Sequence, residues 1–214
     1  MELKIETEEK ILQAAKTVFQ QKGFDGTRMQ DIADEADINK ALLHYYFRSK
    51  DRLFDAVFRD AFKKFFPKVQ EILVSDIPLQ KKLEGFIDKY IDMVTENPFL
   101  PIFILNEVNR NPDKIDEIIN LQVINPQLLF QSVQKEIESG NIRPIDPRHL
   151  IVSTIGMCLF PFLAKPIIKN FLMNNSEEEY KLFISQRKKE VTELVLKSIT
   201  NTNSWKSCFY WFAF

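Results

Sequence analysis

The stretch that decides the fold covers residues 27–50 and reads TRMQDIADEADINKALLHYYFRSK. Small and aliphatic residues recur on one face of its first half until the pattern breaks at Asp37. Asn39 then offers a side-chain oxygen that can cap a second helix, and apolar residues recur at helical spacing after it. Two short helices joined by a turn of about three residues have the geometry of a helix-turn-helix. The stretch therefore predicts this motif.

The sequence before the motif predicts another helix. Aliphatic residues at three- and four-residue spacing place it over residues 8–22, with Thr7 as its cap and Gly23 at its end. Thr27 and Gln30 have the spacing of a capping box for the first helix of the motif. We therefore expect three helices in the first 50 residues.

The spacing of apolar residues also predicts helices in the chain beyond the motif. Ser49 is placed to cap a helix that runs towards Pro67. Prolines and the residues before them interrupt the pattern that follows, and no period-two alternation indicates a strand. The fold class is predicted to be all-α. The expected later helices cover residues 80–96, 99–109, 112–121, 126–139, 147–170 and 176–200.

Composition limits the class of protein. The chain has 214 residues, 45% of them hydrophobic and 28% charged, which suits a folded domain with a substantial core. Its two cysteines cannot form a disulfide framework. The N-terminus lacks the apolar centre of a signal peptide, and the longest uncharged run, residues 150–164, is too short to span a bilayer. We expect a soluble, cytoplasmic protein without a membrane segment.

One exposed strip on the second motif helix carries chemistry suited to nucleic acid. Lys40, Ala41, His44 and Tyr45 recur at the spacing of one helix face, and such side chains contact base edges and phosphates. The whole chain has a net charge of −1, whereas residues 38–52 carry a local charge of +3. Any anion-binding surface is therefore small. The alternative is an ordinary solvated helix face.

The motif and its flanks resemble the TetR family of bacterial transcriptional regulators. The likeness covers about the first 60 residues: ILQAAKTVFQQKGFDGT before the quoted stretch, the stretch itself, and DRLFDAV after it. The resemblance implies that the second motif helix enters the major groove of DNA. Three positions match family positions that face bases: Lys40, Ala41 and His44. Four match positions that contact phosphates: Thr27, Tyr45, Tyr46 and Lys50.

Three residues depart from the family pattern. Asp37 stands where Gly is usual, and Asp tolerates left-handed backbone better than most residues. Leu42 replaces a small polar residue, and we expect it to contact a thymine methyl group or the DNA backbone. His44 replaces a frequent Tyr. The operator sequence therefore cannot be transferred from relatives.

The resemblance also implies a domain organisation and partners. We expect a DNA-binding domain over residues 1–50 and a helical ligand-binding and dimerisation domain over residues 51–200, followed by a tail over residues 201–214. A homodimer would form through the helices near residues 147–170 and 176–200 and would bind a near-palindromic, double-stranded DNA operator. The alternative is that these helices pack only inside one protomer. The expected function is a regulator, most simply a repressor, released by a small effector.

Aromatic and methionine side chains recur at helical spacing in the second domain. Most are expected to be core residues, and some are candidates for lining an apolar effector cavity. The candidates are Phe86, Tyr90, Met93, Phe103, Phe130, Met157 and Phe160. Polar candidates for a charged ligand are weaker: Asn106, Glu107, Asn109, Arg110 and Gln127. The 19 phenylalanines favour an apolar effector.

The tail is unusual, because six of its last ten residues are aromatic. These residues are Trp205, Phe209, Tyr210, Trp211, Phe212 and Phe214. Exposed to water they would promote aggregation. We expect docking onto the chain's own body or a dimer seam; a sequencing oddity and a contact with a partner or membrane are the alternatives.

An enzyme is not expected. The two histidines, His44 and His149, form no metal-ligand spacing with the cysteines, and no glycine-rich phosphate loop or nucleophile elbow occurs. Cys158 lies in an apolar run and is expected to be an inert core residue. We predict neither a cofactor nor a metal. The rival class is a helical protein that binds small molecules or lipids without sequence-specific DNA binding.

Overall fold

The computed structural model describes residues 2–110 and 125–201, and these residues form ten helices. The helices are α1 (Glu2–Gly26), α2 (Met29–Glu35), α3 (Lys40–Tyr46), α4 (Lys50–Val74), α5 (Leu79–Glu96), α6 (Leu100–Arg110), α7 (Pro126–Glu138), α8 (Pro147–Leu163), α9 (Lys165–Leu172) and α10 (Glu177–Ile199). No strand occurs in the described ranges, so the all-α prediction is confirmed. The helix expected over residues 112–121 and the aromatic tail lie outside the described residues.

The first helix begins earlier than the sequence pattern predicts. Helix α1 starts at Glu2, so the expected cap at Thr7 is wrong. The regular helix breaks at Gly23, whose φ of 69° lies in the left-handed region that glycine adopts without strain. Gly23 therefore has the predicted left-handed backbone, but it forms a kink, and helical turns continue to Gly26.

Two predicted caps lie where the sequence placed them. The Asn39 Oδ1 accepts a hydrogen bond from the Leu42 backbone N–H at 2.7 Å, and the Ser49 Oγ accepts one from the Arg52 N–H at 3.2 Å. These bonds satisfy backbone donors that the first turn of a helix leaves free. Helix α4 does not end at Pro67 as expected; it continues to Val74.

The long helix expected over residues 147–170 is two helices. It breaks at Ala164, and α8 and α9 are bent by 75° with respect to each other. Helix α9 is held at the start of α10 by Glu177, whose two carboxylate oxygens lie 2.7 Å from Lys165 Nζ and 2.6 Å from Lys169 Nζ. Because α9 turns away, its apolar residues Ile167 and Phe171 are exposed.

The helices divide into two compact units. The first contains residues 2–68 and 92–110 of the described chain, and the second contains residues 69–91 and 125–201. The core of the second unit is formed by α5, α7, α8 and α10 around Ile87, Val133 and Cys158, all fully buried. The functional division predicted after residue 50 stays a prediction.

Within the described ranges, no single helix combines the length and hydropathy needed to cross a membrane. The bent pair α8–α9 reaches those values only when the two helices are taken together.

Candidate nucleic-acid interface

Helix α3 is fixed by its inner face. Leu43 is fully buried and Phe47 is nearly so, and both belong to the apolar core of the first unit together with Ile32 of α2. Asp37 takes the turn between α2 and α3 with a φ of 48°, as the sequence predicted. The Ile38 N–H then donates to the Ala33 carbonyl at 3.0 Å. The buried face and the tight turn leave the opposite face of α3 towards solvent.

The outer face of α3 exposes most of the predicted contact residues. Lys40, Ala41 and His44 are exposed, and Tyr45 exposes 71% of its surface. Tyr46 is half-buried, and its ring packs edge-on against Tyr45 with centroids 5.5 Å apart. These five residues thus share one accessible surface, which we term the α3 strip. Leu42, also predicted to contact DNA, is half-buried beside it.

The imidazole of His44 is oriented by the end of its own helix. Its Nδ1 lies 3.3 Å from the Arg48 carbonyl oxygen. Because a carbonyl can only accept, Nδ1 must carry the proton, and in the neutral ring Nε2 is then an acceptor. Such an acceptor pairs with the N4 amino group of cytosine or the N6 amino group of adenine. The sequence pattern singled out His44 but not the role of Arg48.

Thr27 has a different local role from the predicted one. It is 2% exposed, and its hydroxyl donates to the Gly23 carbonyl at 2.6 Å. The capping box expected from Thr27 and Gln30 is wrong: the Asp31 carboxylate instead accepts from the Arg28 backbone N–H at 2.8 Å. The reason is that the helix starts one residue later, so Asp31 occupies the third helical position. The phosphate contact of Thr27 stays a prediction.

Lys50 joins the segment after the kink in α1 to the start of α4. Its Nζ donates to the carbonyl oxygens of Phe24 at 2.7 Å and Thr27 at 3.2 Å, and it lies 4.3 Å from the centroid of the Phe24 ring. An ammonium group has three N–H donors, so one remains for a phosphate oxygen. Lys50 therefore holds the backbone of Phe24 and Thr27, and its phosphate contact stays a prediction.

Two acidic side chains of the first unit are paired with lysines. Asp31 lies 2.9 Å from Lys22 Nζ, and Asp60 lies 3.0 Å from Lys16 Nζ. The hydrogen bond from Lys22, followed by the one from the Arg28 backbone, lowers the pKa of the Asp31 carboxyl. The pKa of the Asp60 carboxyl is lowered as well, and both carboxylates are therefore held in the ionised form beside lysines.

The seven apolar effector candidates do not share one environment. Phe86, Tyr90 and Met157 are half-buried against the core of the second unit, and burial raises the pKa of the Tyr90 hydroxyl to about 12. Phe160, in contrast, exposes 60% of its surface. Met93 is buried in the first unit, Phe130 borders a shallow cleft beside Pro147, and the Phe103 side chain lies outside the described part.

The polar effector candidates are not gathered either. Asn106, Asn109 and Gln127 are exposed, and the side chains of Glu107 and Arg110 lie outside the described part. No ligand contact is assigned to any of them.

Comparison with known proteins agrees with this geometry. The family described as bacterial regulatory proteins, tetR family, matches residues 11–57, which include the whole helix-turn-helix. The "Probable HTH-type transcriptional regulator YttP" of Bacillus subtilis is 28% identical over 83% of this chain and 87% of its own length. The transcriptional regulator RutR of Escherichia coli K12 is 30% identical over 66% of each chain.

Solved structures share the architecture. The hemolysin II transcriptional regulator HlyIIR superimposes with a TM-score of 0.59 at 23% identity, covering 92% of this chain and 98% of its own. A short exposed helix held by a buried face and a tight turn, within described residues that are helical, is a helix-turn-helix, and with these relatives it defines a helix-turn-helix transcriptional regulator. The chain belongs to the TetR family.

Proposed function

We propose that the protein is a homodimeric repressor that binds a near-palindromic operator and leaves it when a small apolar effector binds. The observation that carries the proposal is the α3 strip, with its exposed cation, imidazole and phenol on one helix face. Such groups suit phosphate and base-edge contacts in a major groove. Binding to chromosomal DNA places the protein in the cytoplasm.

Dimerisation is supported by apolar side chains on the surface of α8 and α10. Val152 and Phe160 of α8 are 69% and 60% exposed, and Leu182 of α10 is 60% exposed. Helices α8 and α10 run side by side, since the Tyr180 hydroxyl donates to the Pro161 carbonyl and Arg187 donates to the Met157 carbonyl. Exposed apolar surface of this kind is typical of a protein interface. We propose that a second copy covers it.

An apolar effector is supported by the composition of the second unit. Half-buried aromatic and methionine side chains, among them Phe86, Tyr90 and Met157, surround its core. Release requires that the effector bind one state of the dimer better than the other, because equal affinity shifts no equilibrium.

The test is retention of genomic fragments on the purified full-length protein at physiological salt. We expect enrichment of a sequence with two half-sites whose centres lie ~34–36 Å apart, or a multiple of that distance. The control is Lys40→Ala combined with His44→Ala on the α3 strip, which should lose the enrichment. Retention that is uniform across fragments and disappears with added salt would instead support the rival small-molecule or lipid carrier.

A further inference from the structure

A cleft opens in the second unit between the start of α8 and the end of α10. The two helices run antiparallel, since the Arg143 N–H donates to the Ile199 carbonyl at one end and Arg187 donates to the Met157 carbonyl further along. The volume of the cleft is about 640 Å³, within the range of ~300–1,000 Å³ that is usual for small-molecule sites. The cleft is therefore large enough to bind a small ligand.

The floor of the cleft is apolar. Leu150 of α8 and Val195 of α10 are buried core residues at its base, and Met157 is half-buried beside them. Leu194 also lines the cleft, and 52% of its surface is exposed. A ligand that covers Leu194 would remove this apolar surface from water, which is favourable. The floor therefore suits an apolar chain.

Polar groups lie at the end of the cleft where α8 begins. The guanidinium of Arg143 is held there, because its Nε donates to the Ser198 carbonyl and its Nη1 donates to the Pro144 carbonyl at 3.4 Å. An arginine has five N–H donors, so three remain, and no other group of the described residues accepts from them. These donors are available to a ligand.

The charge at this end of the cleft favours an anion. The one carboxylate of the lining belongs to Asp146, which is already paired with Arg148: its oxygens accept from Nε at 3.0 Å and from Nη2 at 2.6 Å. Among the described residues, Arg143 forms an ion pair with no carboxylate. His149, exposed in the same lining, adds a second positive charge when it is protonated.

We propose that this cleft binds an amphipathic monocarboxylate, with the carboxylate at Arg143 and the apolar chain along Leu150, Met157 and Leu194. The planar guanidinium matches the two oxygens of a carboxylate. His149, Ser153 and Met157 follow one another at four-residue spacing on one face of α8, a distance of about 12 Å at a rise of 1.5 Å per residue. A chain of medium length fits along this face.

The lining discriminates against other kinds of ligand. A purely apolar ligand would cover the free donors of Arg143 without giving them an acceptor, which costs free energy. A short acid such as acetate would pair with Arg143 but leave Leu194 in water. The cleft therefore selects a molecule that has both a charged end and an apolar chain.

Calorimetric titration of the full-length protein with decanoate, at physiological salt, tests the proposal. We expect saturable binding. Decanol has the same chain without the charge and should bind about tenfold more weakly, and acetate should show no saturable binding. The measurement uses no DNA, so its outcome does not depend on the proposed repressor function.

Two pairs of variants separate the two ends of the ligand. Arg143→Gln should weaken decanoate about tenfold and leave decanol unchanged, whereas Lys181→Gln, at an exposed cation of α10 outside the cleft, should change neither. Leu194→Asp should weaken both ligands. Leu182→Asp, similarly exposed on the same helix but outside the cleft, should bind both like the wild type. Unaltered circular dichroism spectra exclude misfolding of the variants.

Hydrogen exchange followed by mass spectrometry locates the bound ligand. Decanoate should slow exchange in peptides that cover residues 143–157 and 190–199, and this protection should be absent in Leu194→Asp. Lack of saturable binding, equal affinity for decanoate and decanol, or equal effects of Leu194→Asp and Leu182→Asp would overturn the proposal. So would an affinity for decanoate that falls as the protein concentration rises, which would assign the cleft to a second copy of the chain.

Discussion

The ammonium group of Lys50 lies 4.3 Å from the centre of the Phe24 ring and donates a hydrogen bond to the carbonyl oxygen of the same residue at 2.7 Å. The ring of Phe24 in turn packs edge-on against Phe54 at 5.2 Å. One lysine at the start of α4 therefore fixes the last turn of α1, which precedes the helix-turn-helix. In this position Lys50 stabilises the fold of the DNA-binding module and also adds to its positive charge.

Replacing Lys50 by Met is expected to destabilise the protein. The variant keeps the aliphatic chain but leaves the carbonyls of Phe24 and Thr27 without this donor, so we expect the free energy of unfolding to fall by about 1–3 kcal/mol. Urea denaturation followed by circular dichroism measures the loss. The exposed Arg52→Met is the control and should stay within ~0.5 kcal/mol of the wild type.

Replacing His44 by Ala is expected to relax the preference for one base pair of the operator. We propose that His44 uses Nε2 as an acceptor and discriminates by one hydrogen bond, and the loss of that bond should reduce discrimination about fivefold, or ~1 kcal/mol. Gel-shift titrations on operators changed one base pair at a time measure it. The control is His149→Ala, at the exposed second histidine outside the module. An unaltered base preference in both variants would remove His44 from the reading surface.

Replacing Phe160 by Asp is expected to dissociate the dimer. A charge at this exposed apolar position must either stay in water or be buried without a partner. In both cases burial of this position no longer stabilises the dimer. Sedimentation velocity should show monomers at concentrations where we expect the wild type to be dimeric, and the variant should bind a palindrome with little advantage over a single half-site. Val74→Asp, 59% exposed at the end of α4, is the matched control. An unchanged dissociation constant of the dimer in Phe160→Asp would show that Phe160 lies outside the interface.

Acid is expected to loosen the contact between α9 and α10 through Glu177. Hydrogen bonds from Lys165, then Lys169, lower the pKa of the Glu177 carboxyl to about 2. A carboxyl whose pKa is lowered in the folded state stabilises that state above its unfolded pKa, and the contribution is lost as the pH falls towards about 2. The stability difference between the wild type and Glu177→Gln should therefore shrink from pH 4.5 to pH 2.

The control for the acid experiment is Glu190→Gln, at an exposed carboxylate on the same helix. Its difference from the wild type should change little over the same pH range. A constant difference for Glu177→Gln would show that the two lysines do not act through this carboxylate.

The local signals of the sequence predicted much of the fold. The caps at Asn39 and Ser49, the left-handed residue at Asp37 and the apolar inner face of α3 follow from neighbours within four residues. Such short-range rules depend on the local backbone geometry and on the side chains of neighbouring residues. The predicted end of α4 at Pro67 was wrong because packing beyond the local pattern determines where this helix ends. Residues beyond Pro67 stay helical because Val69 and Leu73 are buried.

The candidate site also has some properties that follow from the local sequence and others that depend on the fold. Exposure of Lys40, His44 and Tyr45 follows from helix periodicity, which the sequence contains. The contact of His44 Nδ1 with the Arg48 carbonyl and the two carbonyl contacts of Lys50 depend on atoms brought close by the fold. The exposure of the helix face could be predicted from the sequence, whereas these contacts could not.

By itself the sequence determined that this chain is all-α, that it carries a helix-turn-helix near its start, and which face of α3 points outward, because a period of 3.6 residues and a turn residue are encoded locally. Only the tertiary structure decided that Thr27 is buried against Gly23, that the helix after residue 147 bends at Ala164, and that the Asn201 side chain donates to the Gly140 carbonyl. These features join residues far apart in the chain or depend on packing around them. The contacts that stabilise these features form only when the whole unit has folded.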